Sequence, residues 1–149
     1  MKSVREVLKM KTKEVWSISP YAMVFDALKL MGEKKIGALV VMDDKGKVAG
    51  IISERDYARK VILKGKASKD TKVEEIMTPA SEMFAVKPDN SVEECMILMT
   101  GKHVRHLPVF EKDKFIGVVS IGDVVKSIIS EQETLIEQLS SYIVGKYLS

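Results

Sequence analysis

Gly50-Ile51-Ile52-Ser53-Glu54-Arg55-Asp56, and later Gly117-Val118-Val119-Ser120-Ile121-Gly122-Asp123, are two versions of one phrase. Each is a glycine, two β-branched residues, a serine and an aspartate three positions further on. An apolar run follows each copy. The pattern reads as a buried strand that ends at the serine and passes directly into a helix. Serine is a good N-cap, because its hydroxyl accepts from an N–H of the first helical turn. The aspartate falls within that turn, where the helix dipole favours a negative charge. Two readings are open for a single copy. One is a capping box that needs no ligand. The other is a nucleotide site, with phosphate near the helix start and the carboxylate accepting from ribose hydroxyls.

The surroundings of the phrase repeat with it. Val24, Ala27, Leu28 and Met31 stand at i, i+3, i+4 and i+7, the apolar stripe of a helix spanning 23–35. Val92, Cys95, Met96 and Met99 repeat that stripe, each 68 positions later. Ala38 to Met42 is a continuous apolar run, as a buried strand requires, and His106 to Phe110 answers it. Asp43-Asp44-Lys45-Gly46-Lys47 has hairpin-turn chemistry; the second turn, Glu111 to Lys114, is one residue shorter. Val15 to Ile18 and Phe84 to Val86 read as short strands closed by Ser19-Pro20 and Lys87-Pro88. Val4 to Met10 reads as a short helix, and Val73-Glu74-Glu75-Ile76-Met77 matches its start. The helix after Ser53 is expected to run from Glu54 to about Leu63. The expected organisation is α+β, with a first repeat over 1–66, a second over 67–130 and a helical extension over 131–149. A copy this small seldom holds a sufficient core alone, so the two are expected to pack as a pseudo-twofold pair. In the extension, Ile128, Leu135 and Tyr142 recur every seven residues, as do Ile129, Ile136 and Ile143. That apolar stripe packs either on its own chain or against a second copy.

The 149 residues carry a net charge of +3, with lysines and acids interspersed. No one-sided basic patch points to nucleic acid. No apolar run approaches a membrane span, and the start lacks the apolar stretch of a secretory signal. The one cysteine, Cys95, excludes an internal disulfide framework. A cytoplasmic protein is the simplest expectation.

The repeat resembles a tandem pair of CBS domains, the Bateman module. The resemblance rests on the doubled phrase, on Val73-Glu-Glu-Ile-Met-Thr-Pro79 and on Val104-Arg-His-Leu-Pro-Val109, and it covers about residues 1 to 130. It implies a β-α-β-β-α repeat preceded by a short helix, and a cleft between the copies with two related ligand sites. Carried over by residue, it joins Ser53 and Asp56 to Phe84, Val86, Val104, Arg105 and His106. It joins Ser120 and Asp123 to Trp16, Ile18, Ile36 and Gly37. The acids would hold ribose, and Arg105-His106 would face phosphate, for which arginine is suited. Gly37 would leave room for close backbone approach. The implied ligands are AMP, ADP or ATP, or else NAD(H) or S-adenosylmethionine. The implied partners are a second copy of the chain and an effector protein in trans.

Other signals are weaker. His103 and His106 lack further ligands at useful spacing, so no metal is expected. Cys95 lies on an apolar helix stripe, the place of an inert thiol. Trp16 is either core or a ring beside adenine. No base–nucleophile pair is identifiable, so no catalytic residue is assigned. The leading expectation is a regulatory nucleotide-binding module. The competing ones are a structural dimerisation module with vestigial sites and a nucleotide-acting enzyme.

Overall fold

The computed structural model describes residues 2–11 and 15–147, with side-chain surroundings described to residue 145. The outermost positions of the expected first repeat and of the extension, residues 1 and 148–149, lie outside them. The elements follow the expected order in the first copy, and in the second except for its first strand. The first copy holds α1 (Val4–Met10), β1 (Ser17–Ile18), α2 (Val24–Lys34), β2 (Ala38–Met42), β3 (Val48–Ser53) and α3 (Glu54–Tyr57). The second holds α4 (Val73–Ile76), α5 (Val92–Lys102), β5 (His106–Glu111), β6 (Lys114–Ser120) and α6 (Ile121–Tyr147). Between α4 and α5 lie two short elements that the periodicity does not announce, β4 (Thr78–Pro79) and a 3-10 turn over Ala80–Glu82.

The chain forms two compact units, one of Glu14–Phe84 and one of Met1–Lys13 with Ala85–Ser149. The sequence repeats and the compact units therefore divide the chain differently. Each unit takes the leading helix of the other copy. In the unit of the first sheet, the Val73 N–H donates to the Ala22 carbonyl at 2.8 Å, and the Val24 N–H donates to Thr71 at 2.8 Å. Val73 and Ile76 of α4 share a core with Val24, Ala27 and Met31 of α2, and with Leu39, Val41 and Ile52 of the sheet. In the other unit, the Val4 N–H donates to Asn90 at 2.8 Å and the Val92 N–H to Lys2 at 3.0 Å. Val4 and Val7 of α1 join Val92, Cys95, Met99, Leu107, Val119 and Val124. Val4 and Val73 are both fully buried, and each such valine contributes about 1.5–3 kcal/mol.

The first sheet has the order β1-β2-β3-β4. β1 runs parallel to β2, while β2–β3 and β3–β4 are antiparallel. The β2–β3 turn closes with the Asp43 N–H on the Lys47 carbonyl (2.9 Å), and Gly46 supplies the positive φ of 77°. Gly50 lies opposite Pro79. A Cβ at Gly50 would overlap the Thr78 carbonyl oxygen, so the doubled glycine is a sheet-packing requirement here. At Gly117 a Cβ would instead meet the flexible end of Leu8, 3.0 Å away.

The second sheet is the pair β5–β6. The expected strand 84–86 shrinks to one parallel bridge, Val86 to Val109. The Val86 N–H donates to Pro108 and the Phe110 N–H to Val86, both at 3.0 Å. The next rung of a parallel ladder would need an N–H from residue 108, which is proline and has none. Val40 holds the matching place in β2, and there the two-residue strand Ser17–Ile18 forms.

Two helices also depart from expectation. After Tyr57 the helix widens to a π-turn over Ala58–Ile62, which leaves Val61 fully buried. α6 is continuous for 27 residues, about 40 Å, so the last helix of the second repeat and the extension are one element. Its stripe at Ile129, Leu135, Ile136, Leu139, Tyr142 and Ile143 is exposed, each residue at 50% or more.

Candidate functional site: two serine–aspartate turns

The doubled phrase builds the same turn in each unit. Ser53 and Ser120 are the last residues of β3 and β6, and each caps the helix that follows. The Asp56 N–H donates to Ser53 Oγ at 3.3 Å, and Ser53 N–H returns to Asp56 Oδ2 at 2.9 Å. In the second unit the matching distances are 3.1 and 2.8 Å. Both aspartates are therefore members of true capping boxes. The first N–H of each helix is also taken, Glu54 by the Gly37 carbonyl at 3.1 Å and Ile121 by the Arg105 carbonyl at 2.8 Å. These acceptors occupy much of the backbone donor set that a helix start offers an anion. A carboxylate accepts up to about four hydrogen bonds, so capping leaves each acid acceptor capacity.

Each turn thus sits beside the start of the central strand of its own copy. That start is aimed by an unusual cap. Lys35 and His103 end α2 and α5 with φ of 56°, and their N–H groups donate to Met31 and Met99. This is the left-handed C-cap usually given to glycine. It carries the chain into Ile36-Gly37 beside Ser53 and Asp56, and into Val104-Arg105-His106 beside Ser120 and Asp123. His106 lies opposite Ser120 in the β5–β6 ladder, as Ala38 lies opposite Ser53 in β2–β3. Within each unit, the Gly37 carbonyl therefore lies at the helix start that carries Asp56, and the Arg105 carbonyl and His106 lie at the one that carries Asp123.

The remaining candidate residues fall around these turns or away from them. Ile18 lies in β1 beside Val41, and both Ile18 and Ile36 pack on the core of their unit. Trp16 also packs on that core, and the Lys34 ammonium sits 4.1 Å above its ring. Val86 is core in the other unit and Val104 packs against the same cluster. Phe84 is exposed, at the end of the Glu14–Phe84 unit.

The acids differ in how their charge is met. Lys60, one turn along the same helix, approaches Asp56 Oδ1 at 3.3 Å and donates to the Ile76 carbonyl at 2.9 Å. Lys11, at the end of α1, donates to Asp123 Oδ2 and to the Val118 carbonyl, both at 2.8 Å. Asp56 is 15% exposed and Asp123 19%. Neither lysine is anticipated by the sequence analysis. Lys60 had a signal, the i,i+4 spacing to Asp56. Lys11 had none, because its role depends on α1 packing with the other copy.

Burial depresses the pKa of His106, and Lys11 adds to the effect. Asp123 opposes them and Arg105 assists. The neutral imidazole is therefore favoured beside Asp123, where a nearby anion alone would favour the charged form. Burial also pushes the Cys95 thiol up to about 11, helped by Glu94. That makes Cys95 a packed, unreactive side chain.

The comparisons with known proteins agree with this architecture. Residues 4–63 and 73–130 each match the CBS domain, and the chain belongs to the CBS-domain family. It is 44% identical over 126 residues to the mitochondrial CBS domain-containing protein CBSX3 of Arabidopsis thaliana, covering 83% of this chain. The match spans only 61% of that plant protein. Among solved structures, a candidate signal-transduction protein with CBS domains from Burkholderia ambifaria is 48% identical, with a TM-score of 0.83. That likeness covers 88% of this chain and 96% of the other. A hexameric CBS-CP12 protein from bloom-forming cyanobacteria is 28% identical, with a TM-score of 0.74, over 97% of this chain and 84% of its own. CBS pairs are in general regulatory modules that bind adenosine ligands. Among the described residues no helix is long and apolar enough to cross a membrane.

Proposed function

We propose that the chain is a non-catalytic regulatory module that binds an adenine nucleotide, AMP, ADP, ATP or NAD(H), and modulates a partner protein in trans from the cytoplasm. The observation that carries the reading is the twofold presence of a mostly buried, lysine-paired aspartate in a Ser-x-x-Asp turn. In this reading Asp56 and Asp123 accept from ribose hydroxyls, and the adenine lies against the apolar residues near the strand starts. Arg105, His106 and Lys11 give the Asp123 turn the stronger phosphate end. A ligand shifts the module only as far as its affinities for two states differ.

A second reading is structural, and the exposed stripe of α6 favours it. There the chain acts by self-association, through a homodimer or a higher assembly such as the hexamer of the CBS-CP12 relative. The two readings separate in calorimetry with AMP, ADP, ATP, NADH and S-adenosylmethionine, with product analysis of the same mixtures. The regulatory reading expects binding at micromolar levels or tighter, about −8 kcal/mol, with no turnover. Absence of binding by ligand-free protein to all five would leave the structural reading alone.

A further inference from the structure

Beside the Asp123 turn, the unit that carries α1 and α6 holds a half-open cavity of about 360 Å³. This is the lower end of the range for small-molecule sites. One face of α6 lines it, through Lys126, Ser127 and Ser130. The other wall is Val7, Met10 and Lys11 of the α1 segment, with Lys2 before it. Ser127 is 7% exposed, and its hydroxyl is buried without a hydrogen-bond partner. A buried donor in that state costs free energy unless something reaches it. Lys2, Lys11 and Lys126 also line the cavity, and the negative groups nearby are already engaged. Asp123, which also lines the cavity, is held by Lys11 at 2.8 Å. Glu131 accepts the Lys2 N–H at 2.8 Å. Lysine ammonium groups act as point charges for phosphate, and the walls of Val7 and Met10 suit an organic body.

We propose that the cavity between α1 and α6 binds the phosphoryl group of a small phosphorylated molecule, held by Lys2, Lys11 and Lys126 with Ser127 donating from the floor. This site stands without the adenine reading, although Lys11 and Asp123 border both. Occupancy would tie α1, the leading helix of the first copy, to α6 of the second.

The test uses the full chain freed of bound ligand, with pyrophosphate as the probe and calorimetry at low salt. Pyrophosphate is expected to bind once per chain, and Lys126→Ala to weaken it roughly tenfold or more, the size of one charge-assisted hydrogen bond. Ser127→Ala is expected to weaken it severalfold while leaving the melting temperature of the free protein unchanged or higher, since an unpaired buried hydroxyl is removed. Asp123→Ala is expected to tighten it, by freeing Lys11, although the same change removes ribose binding in the adenine reading. Lys64→Ala, a lysine outside the cavity, is the control and should change nothing. A second titration separates the sources of the phosphoryl group. If ATP competes with pyrophosphate and adenosine does not, a nucleotide tail can supply it; if neither competes, the natural occupant is another phosphorylated molecule. No pyrophosphate binding, or equal binding by wild type, Lys126→Ala and Ser127→Ala, overturns the proposal.

Discussion

Asp56 is held by a lysine one turn along its own helix, whereas Asp123 is held by Lys11 from the leading helix of the other copy. Beside Asp56 the chain enters β2 through Gly37 and Ala38; beside Asp123 it enters β5 through Arg105 and His106. The backbone of the two turns is nearly the same, down to the capping distances. A doubled backbone therefore fixes where the two turns stand, and the side chains that flank it set the charge around each. Coupling is alike: Lys60 also reaches the Ile76 carbonyl of α4, and Lys11 lies at the end of α1, so the lysine of each acid touches the leading helix of the other copy.

The largest expected effect separates the two sheets before any ligand is added. Gly50→Ala places a Cβ on the Thr78 carbonyl, where only backbone can give way, and should cost about 3 kcal/mol in urea unfolding. Gly117→Ala meets the end of Leu8 and should cost about 1 kcal/mol or less. Equal losses would mean that β4 does not pin β3 as described.

Next come the acids themselves. Asp56→Ala and Asp123→Ala should each abolish one of two adenosine-nucleotide sites, losing about 1.5–3 kcal/mol per charge-assisted hydrogen bond. The free protein should lose only about 1 kcal/mol, the worth of a helix cap. If both variants bind with the wild-type stoichiometry, the turns are caps and nothing more.

The smallest effect is in pH. His106 has a depressed pKa when folded, so the unfolded chain binds its proton more readily. Its contribution to stability is complete above the unfolded value of about 6.5 and is lost as pH falls through the folded one. A bound phosphate favours the protonated ring, so AMP affinity at the Asp123 site should rise as pH falls below about 6.5, relative to the Asp56 site. The phosphate itself takes up a proton at about pH 6 and weakens its charge contacts, so the same ratio is measured in His106→Ala, where the rise should vanish. A ratio that stays flat between pH 7.5 and 5.5 would remove His106 from the phosphate end.

The doubled phrase made most of this fold legible. The run Ala38 to Met42 is a strand with the bounds its apolar pattern implies, because burial on both faces needs no alternation. The helix of 24–34 follows its stripe equally well. Three features were not legible, each because a distant residue decides it. Phe84 to Val86 has strand composition, but Pro108 denies it a second rung. Thr78-Pro79 forms β4 only because Gly50 leaves space for its carbonyl. The service of Lys11 to Asp123 depends on the exchange of leading helices, and neither sheet's sequence states which helix it will receive. Of the two turns, the capping serines and aspartates were legible from the phrase itself. The grouping of Arg105 and His106 with Asp123 is set by the β5–β6 register and the Ile121 to Arg105 hydrogen bond.

That grouping is the centre of the comparison, and one pair of titrations tests it. AMP and adenosine are titrated into Asp56→Ala, which keeps the Asp123 site, and into Asp123→Ala, which keeps the Asp56 site. The preference for AMP over adenosine should be larger in Asp56→Ala, by about 1.5–3 kcal/mol if Arg105 makes one charge-assisted bond to phosphate. Adding Arg105→Ala to that variant should remove the excess and leave adenosine affinity as it was. A larger AMP preference in Asp123→Ala, lost on the same Arg105→Ala change, would contradict the account and assign Arg105 to the Asp56 site instead.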